Sequence, residues 1–162
     1  MNTSEGHLLI VDDDPANRDM LSRRLGKSGY TFELAENGEQ ACARLDSSKF
    51  DLVLLDVNMP GLSGLEVLAR IRKTRSMLEL PVLLVTARTD SQCIVDGLDR
   101  GANDYITKPI DFPVALARIR NQQAIRLAEA AVRERDKRAK SIRELALRSV
   151  SAPDDDFSGL VY

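Results

Sequence analysis

Cysteine is scarce in this chain. Only Cys42 and Cys93 occur in 162 residues, far apart and without metal-ligand spacing. That excludes a disulfide scaffold and a zinc ribbon, and it makes both thiols reduced core residues of a cytosolic protein. Histidine occurs once, as His7 ahead of the first apolar run, and no role is assigned to it. No apolar run approaches the roughly 20 residues that a membrane span requires. Met1 to Gly6 is polar, with no basic stretch and apolar core, so no cleaved secretory signal is expected. No internal repeat or long low-complexity tract is seen. What remains is 43% apolar and 30% charged residues, a balance that excludes a wholly disordered chain. Such a length holds one ordinary domain, or one domain and an appendage.

The net charge of −2 is unevenly spread. Residues 1–117 hold 13 basic and 18 acidic side chains, whereas residues 118–148 hold 10 and 4. The remainder carries only Asp154, Asp155 and Asp156. An acidic globular part is thus followed by a basic segment and a short acidic tail. A basic segment attracts nucleic acid or lipid in some proteins, but the mixed signs here favour a solvated helix. Neither nucleic acid nor a membrane is an expected partner.

Five short apolar runs rich in branched residues punctuate the first 117 residues: Leu8–Val11, Thr31–Ala35, Leu52–Leu55, Val82–Val85 and Tyr105–Thr107. Longer amphipathic stretches lie between them. Strands alternating with helices predict an α/β fold with a parallel sheet covered on both faces. Helix starts are signposted by Asp14 before Pro15, and by Asn37 with Gln40, Ser63 with Glu66, and Thr89 with Gln92. Gly29 and Gly101 stand where left-handed C-caps end the first and fourth helices.

From Phe112 to Val150 there is no glycine, and Pro113 falls in the first turn, where proline is tolerated. A helix of that length exceeds what one sheet edge needs. Ile125, Val132, Ala139 and Ala146 recur every seven residues, interleaved with Ala128, Arg135, Ile142 and Ser149. This weak heptad fits a dimeric coiled coil and a plain solvated extension equally well. Ser151 to Asp156 reads as a linker.

Ligands of open parallel sheets bind beyond the carboxyl ends of the strands. Those ends carry Asp12, Asp13 and Asp14, then Asp56, then Thr86, then Lys108. Clustered carboxylates repel one another unless a cation joins them, and Mg2+ suits such oxygen ligands. A hydroxyl and an ammonium alongside supply partners for a phosphoryl group, and one carboxylate can be its acceptor. Asp14 is better read as a helix cap.

The segments Leu9-Ile10-Val11-Asp12-Asp13-Asp14-Pro15, Leu54-Leu55-Asp56-Val57-Asn58-Met59-Pro60-Gly61, Val85-Thr86-Ala87 and Gly101-Ala102-Asn103-Asp104-Tyr105-Ile106-Thr107-Lys108-Pro109 occur in this order. Together they resemble the receiver domain of two-component response regulators. The resemblance runs from about His7 to about Gln122. It implies a flavodoxin-like doubly wound five-stranded sheet of order 2-1-3-4-5, here with a long C-terminal helical extension. The expected organisation is a receiver over 7–122, a helical extension over 123–150, and a flexible tail over 151–162.

Roles follow from the resemblance, position by position. Asp56 matches the phosphoacceptor, supplied by a sensor histidine kinase or phosphotransfer protein. Asp12 and Asp13 match the pair that holds Mg2+ together with Asp56, and Asn58 matches the position whose backbone carbonyl completes the shell. Thr86 matches the switch hydroxyl, Tyr105 the aromatic that follows it, and Lys108 the lysine that pairs with the phosphoryl group. The Lys108–Pro109 bond is usually cis in this family. Asn58 and Arg88 match the positions that tune phosphoryl lifetime, and an exposed Arg88 without effect is the alternative. Without the resemblance, Tyr105 reads as a half-buried core residue.

The resemblance implies a cytoplasmic signalling switch, catalysing only its own phosphorylation and dephosphorylation. Its output face is helix four, strand five and helix five, where Arg100, Asp104, Arg118 and Arg120 are candidates for ion pairs between subunits of a homodimer. An output domain missing from this chain is expected. The alternative is a metal-dependent phosphatase of the haloacid-dehalogenase type. It would use Asp12 as nucleophile in the spelling Asp12-x-Asp14 and leave Asp56 without a task.

Overall fold

The computed structural model describes residues 3–87 and 89–151. Five strands alternate with five helices: β1 (His7–Val11), α1 (Pro15–Lys27), β2 (Thr31–Ala35), α2 (Gly38–Ser47), β3 (Leu52–Asp56), α3 (Gly64–Thr74), β4 (Val82–Ala87), α4 (Ser91–Asp99), β5 (Asp104–Lys108) and α5 (Phe112–Ser151). The strands form one parallel sheet in the order β2-β1-β3-β4-β5. This is the expected doubly wound architecture.

Period two along each strand sorts the core into two layers. Leu9, Val11, Val53, Leu55, Val82 and Leu84 face Ala41 and Leu45 of α2 and Val67, Leu68 and Ile71 of α3. Leu8, Ile10, Leu52, Leu54, Leu83 and Val85 face Leu21 and Leu25 of α1 and Ala115 and Ile119 of α5. β3 is buried along its whole length, so its run LVLLD carries no polar alternation until Asp56.

Local signals end the helices as expected in most places. Asp14, Asn37 and Ser63 cap α1, α2 and α3 through side-chain bonds to the backbone N–H of Ala16, Gln40 and Glu66. Gly29 and Gly101 adopt φ of 95° and 103°, the left-handed conformation that glycine alone adopts without strain. The α4 cap differs from the sequence reading. After β4 the chain first closes a turn, with Asp90 N–H donating to the Ala87 carbonyl at 3.1 Å. Asp90, not Thr89, is then the cap, and its carboxylate accepts from the Cys93 N–H at 3.2 Å.

Arg72 ties together the far edge of the sheet. Its guanidinium donates to the carbonyls of Gly101, Ser76 and Leu80 at 2.8, 3.1 and 2.9 Å, and to Asn103 Oδ1 at 2.9 Å. Asn103 in turn accepts from Val82 N–H and donates to Gln122 Oε1. Burial pushes the Arg72 pKa down, although the many carbonyl partners keep the group well solvated by protein dipoles.

α5 covers 40 residues, Phe112–Ser151. Ser151, expected to open the linker, is its last residue, and residues 152–162 lie outside the described ones. The chain divides into two compact units, one ending at Arg126 and the other beginning at Leu127. The first contains the sheet and the buried Ala115, Ile119 and Gln122. In the second, Leu127, Val132, Ile142, Leu145 and Leu147 are exposed. Among the described residues no helix is long and apolar enough to cross a membrane.

Candidate functional site

The carboxyl ends of β1 and β3 bring Asp12, Asp13 and Asp56 together, with one oxygen of each inside a 4.8 Å group. Asp12 and Asp56 are buried and Asp13 is exposed. Asp14 stays outside this group and serves the helix cap. Lys108 arrives from the end of β5 and places Nζ 3.0 Å from Asp56 Oδ1. The same oxygen accepts the Asn58 N–H at 3.2 Å. Thr86 stands on β4 between them and is fully buried. Its Oγ1 and Asp56 Oδ2 are both buried without a hydrogen-bond partner among the described residues. Buried polar atoms are rarely left so, and a missing ligand is a common reason.

Electrostatics point the same way. Burial pushes the Asp56 carboxyl up to about 7, and the nearby charge of Asp12 adds to that, while the Lys108 hydrogen bond opposes it. Burial works against the Lys108 charge, but the bond to Asp56 and the charges of Asp56, Asp12 and Asp13 together outweigh it and raise the Lys108 pKa. The site thus holds more negative charge than its surroundings stabilise. A hard divalent cation with oxygen ligands fits this donor set, with Asp12, Asp13 and Asp56 as the residues to hold it.

α3 starts close beneath this edge. A Cβ on Gly64 would meet the Asp56 carbonyl oxygen and lie 2.7 Å from Val57 Cα. Only glycine allows α3 to begin there without shifting the loop after Asp56.

Residues 8–120 match the model of the response regulator receiver domain. The chain belongs to that family. The receiver domain is 47% identical over 116 residues to YkoG of Bacillus subtilis, described as an uncharacterized transcriptional regulatory protein, covering 72% of this chain and 50% of that one. It is 46% identical over 113 residues to the response regulator MprA of Mycolicibacterium vanbaalenii, covering 70% of this chain and 48% of that one. A CheY-like receiver domain protein from Methanospirillum hungatei superposes with a TM-score of 0.71 at 30% identity, covering 76% of this chain and 97% of that one. The chain spans about half the length of the curated relatives it matches.

The remaining expected positions of the receiver are on β5, the loop after it and the loop after β4. Tyr105 is half-buried against the core layer of α2 and α3. The Arg118 guanidinium lies 5.5 Å from the centre of its ring, and Arg118 Nη1 pairs with Asp104 Oδ2 at 2.9 Å. Asp104 and Arg118 are two of the four charged candidates on the face of α4, β5 and α5, and β5 and α5 set these two side chains side by side within the chain. The Lys108–Pro109 peptide is cis. Arg88 lies outside the described residues.

Two neighbours of the site escaped the sequence reading. Asn17 Nδ2 donates to Asp12 Oδ2 at 3.2 Å, and Arg18 Nη1 donates to the Asp12 carbonyl at 2.6 Å. Both sit in the first turns of α1, where the only available signal was polarity next to the cap. His7, left without a role, stacks on Phe50 with centroids 5.1 Å apart and bonds Thr31 and Glu33. It joins β1, β2 and the start of β3 at the end of the sheet opposite the carboxylates.

Proposed function

We propose that the receiver domain is a phosphorylation-controlled switch that takes a phosphoryl group onto Asp56 from a phosphohistidine of a sensor histidine kinase or phosphotransfer protein. A carboxylate oxygen of Asp56 forms the new P–O bond. The P–N bond breaks, and the imidazole nitrogen keeps its electron pair. The observation that carries this reading is the buried, unpartnered Asp56 Oδ2 beside the equally unpartnered Thr86 Oγ1. A phosphoryl group bonded to Asp56 would offer acceptor oxygens to the Thr86 hydroxyl, and a cation would satisfy the carboxylate oxygen.

Mg2+, held by Asp12, Asp13, Asp56 and the Asn58 carbonyl, would offset charge on the transferring group. Lys108 supplies a fixed ammonium for the phosphoryl oxygens. Thr86 turns its hydroxyl to the new acceptor, and Tyr105 fills the space it leaves. The change is read on the face of α4, β5 and α5 and carried along α5. Asn58 and Arg88 set how long the acyl phosphate survives. Its formation and hydrolysis are the only reactions the domain catalyses.

The same reading gives a receiver over 7–122, a helical extension over 123–151 that supports a homodimer, and a cytoplasmic setting. The receiver passes its signal to an output domain or target through the face of α4, β5 and α5. The phosphatase alternative finds no support in the geometry. Both carboxylate oxygens of Asp12 are engaged, by the Asp14 N–H at 2.9 Å and by Asn17 at 3.2 Å.

The test is incubation with acetyl phosphate, with and without Mg2+, followed by intact mass. The expected result is a Mg2+-dependent adduct of one phosphoryl group that Asp56→Asn abolishes. An adduct that survives Asp56→Asn and disappears in Asp12→Asn overturns the reading.

A further inference from the structure

The three carboxylates that would hold the cation are not held alike. Asp13 is exposed, and Asp56 keeps one oxygen free. Asp12 is only 1% exposed and receives three donors: the Asp14 N–H on Oδ1, Asn17 Nδ2 on Oδ2, and Arg18 Nη1 on its carbonyl oxygen. The backbone donor comes with the turn after β1. Arg18 directs its charge to the carbonyl and lies 3.7 Å from Glu36, away from the carboxylate. Asn17 is therefore the one side chain among the described residues that fixes the orientation of the Asp12 carboxylate.

Its chemistry suits that task. An ionised carboxylate only accepts, so the amide nitrogen must face it. The donor is neutral. A lysine or arginine in its place would occupy the site as an internal cation, and an aspartate would add a fourth repelling charge. An amide orients Asp12 and leaves its full negative charge available to a metal. The bond needs only one lone pair of Oδ2, so it persists when a cation or its bound water takes another.

We propose that Asn17 is a positioning residue for the divalent cation: it holds Asp12 toward Asp13 and Asp56 and so sets Mg2+ affinity from the first turn of α1. This rests on the Mg2+ reading of the site, and it adds a residue outside the carboxylate set.

The experiment is isothermal titration of the full chain with Mg2+ alone, paired with thermal unfolding of the metal-free protein. Asn17→Leu keeps the size and loses the donor, Asn17→Gln keeps a donor, and Asn17→Ala is the second donor-free variant should the leucine fail to fold. The expected result is that both donor-free variants weaken Mg2+ binding by about tenfold, the usual scale for a lost partner of a metal-holding side chain. Asn17→Gln should recover most of that loss. A drop in melting temperature with Mg2+ affinity unchanged from wild type makes Asn17 a structural residue only and overturns the inference. Failure of Asn17→Gln to recover affinity, with the fold intact, also overturns it. Wild type that binds no Mg2+ overturns the metal reading itself, and the titration separates that failure from the others.

Discussion

Lys108 and Asp56 meet at 3.0 Å although their strands, β5 and β3, are not neighbours. β4 lies between them and contributes Thr86 to the same edge. The lysine thus reaches across the strand that carries Thr86, and the ends of three adjacent strands share one electrostatic unit.

The first prediction concerns acid–base linkage. Asp56 has its pKa raised by burial to about 7 in the folded chain, above the unfolded value of ~3.9. The folded state therefore binds the proton more tightly. Its contribution to stability is fully present below pH ~4 and is lost as pH rises toward 7. Metal-free protein should lose about 1–3 kcal/mol of stability from this group over that window, a range below the full shift because real sites relax. Urea unfolding at pH 5 and pH 8 checks this, and Asp56→Asn should flatten the difference.

Metal binding should carry the opposite dependence. A cation binds the ionised carboxylate, so uptake of Mg2+ releases a proton while Asp56 is protonated. Affinity should rise from pH 5.5 to about 7.5 and then level off, by the same linkage. Calorimetry in two buffers of different ionisation enthalpy measures the proton count. An affinity independent of pH would contradict the raised Asp56 pKa.

Lys108→Met removes the charge and keeps most of the stem. Asp56 loses its one cationic partner among the described residues, and its pKa should climb further. The larger effect should be on chemistry, where loss of one fixed donor to developing charge costs ~10²-fold or more. Phosphorylation rates from intact mass give that number. Circular dichroism should show an unchanged fold.

Arg118→Ala separates the ring of Tyr105 from the guanidinium above it. Stability should change by less than ~1 kcal/mol, because the pair is partly exposed. The Tyr105 ring resonances, in contrast, should shift and broaden as the ring samples a second rotamer. Unchanged resonances would mean that Arg118 does not restrain the ring.

Arg72→Ala should be the most disruptive single truncation away from the acidic edge. It leaves the Gly101 and Leu80 carbonyls without that donor, while the Ser76 carbonyl keeps the Leu80 N–H and Asn103 Oδ1 keeps the Val82 N–H. A loss of ~1–3 kcal/mol is expected from the two part-buried carbonyls left unpaired. Arg72→Lys should restore only part, since an ammonium cannot reach all four. Urea midpoints at constant slope measure both.

The strands and most helix caps were legible because they depend on neighbours in sequence. Apolar runs such as Leu52–Leu55 and cap pairs such as Ser63 with Glu66 announce themselves within four residues. The carboxylate edge was legible for a different reason: parallel strands all end on one side, so Asp12, Asp56, Thr86 and Lys108 had to converge. Contacts between distant segments left no such trace. Arg72 and Asn103 lie 31 positions apart, and His7 and Glu33 lie 26 apart. Neither pair has a pattern that marks it beforehand. The α4 cap shifted by one residue because a turn intervened, a detail that composition does not encode.

The chain has no tryptophan, and the half-buried ring of Tyr105 lies under Arg118. Tyr30, by contrast, is buried with its hydroxyl donated to Gln123. Fluorescence emission of the native protein therefore comes from its three tyrosines, Tyr30, Tyr105 and Tyr162. Of the two in the described residues, Tyr105 is the one that is half-buried against a guanidinium. Native emission can thus report a change in the Tyr105–Arg118 contact in an unlabelled sample, with Tyr105→Phe as the blank.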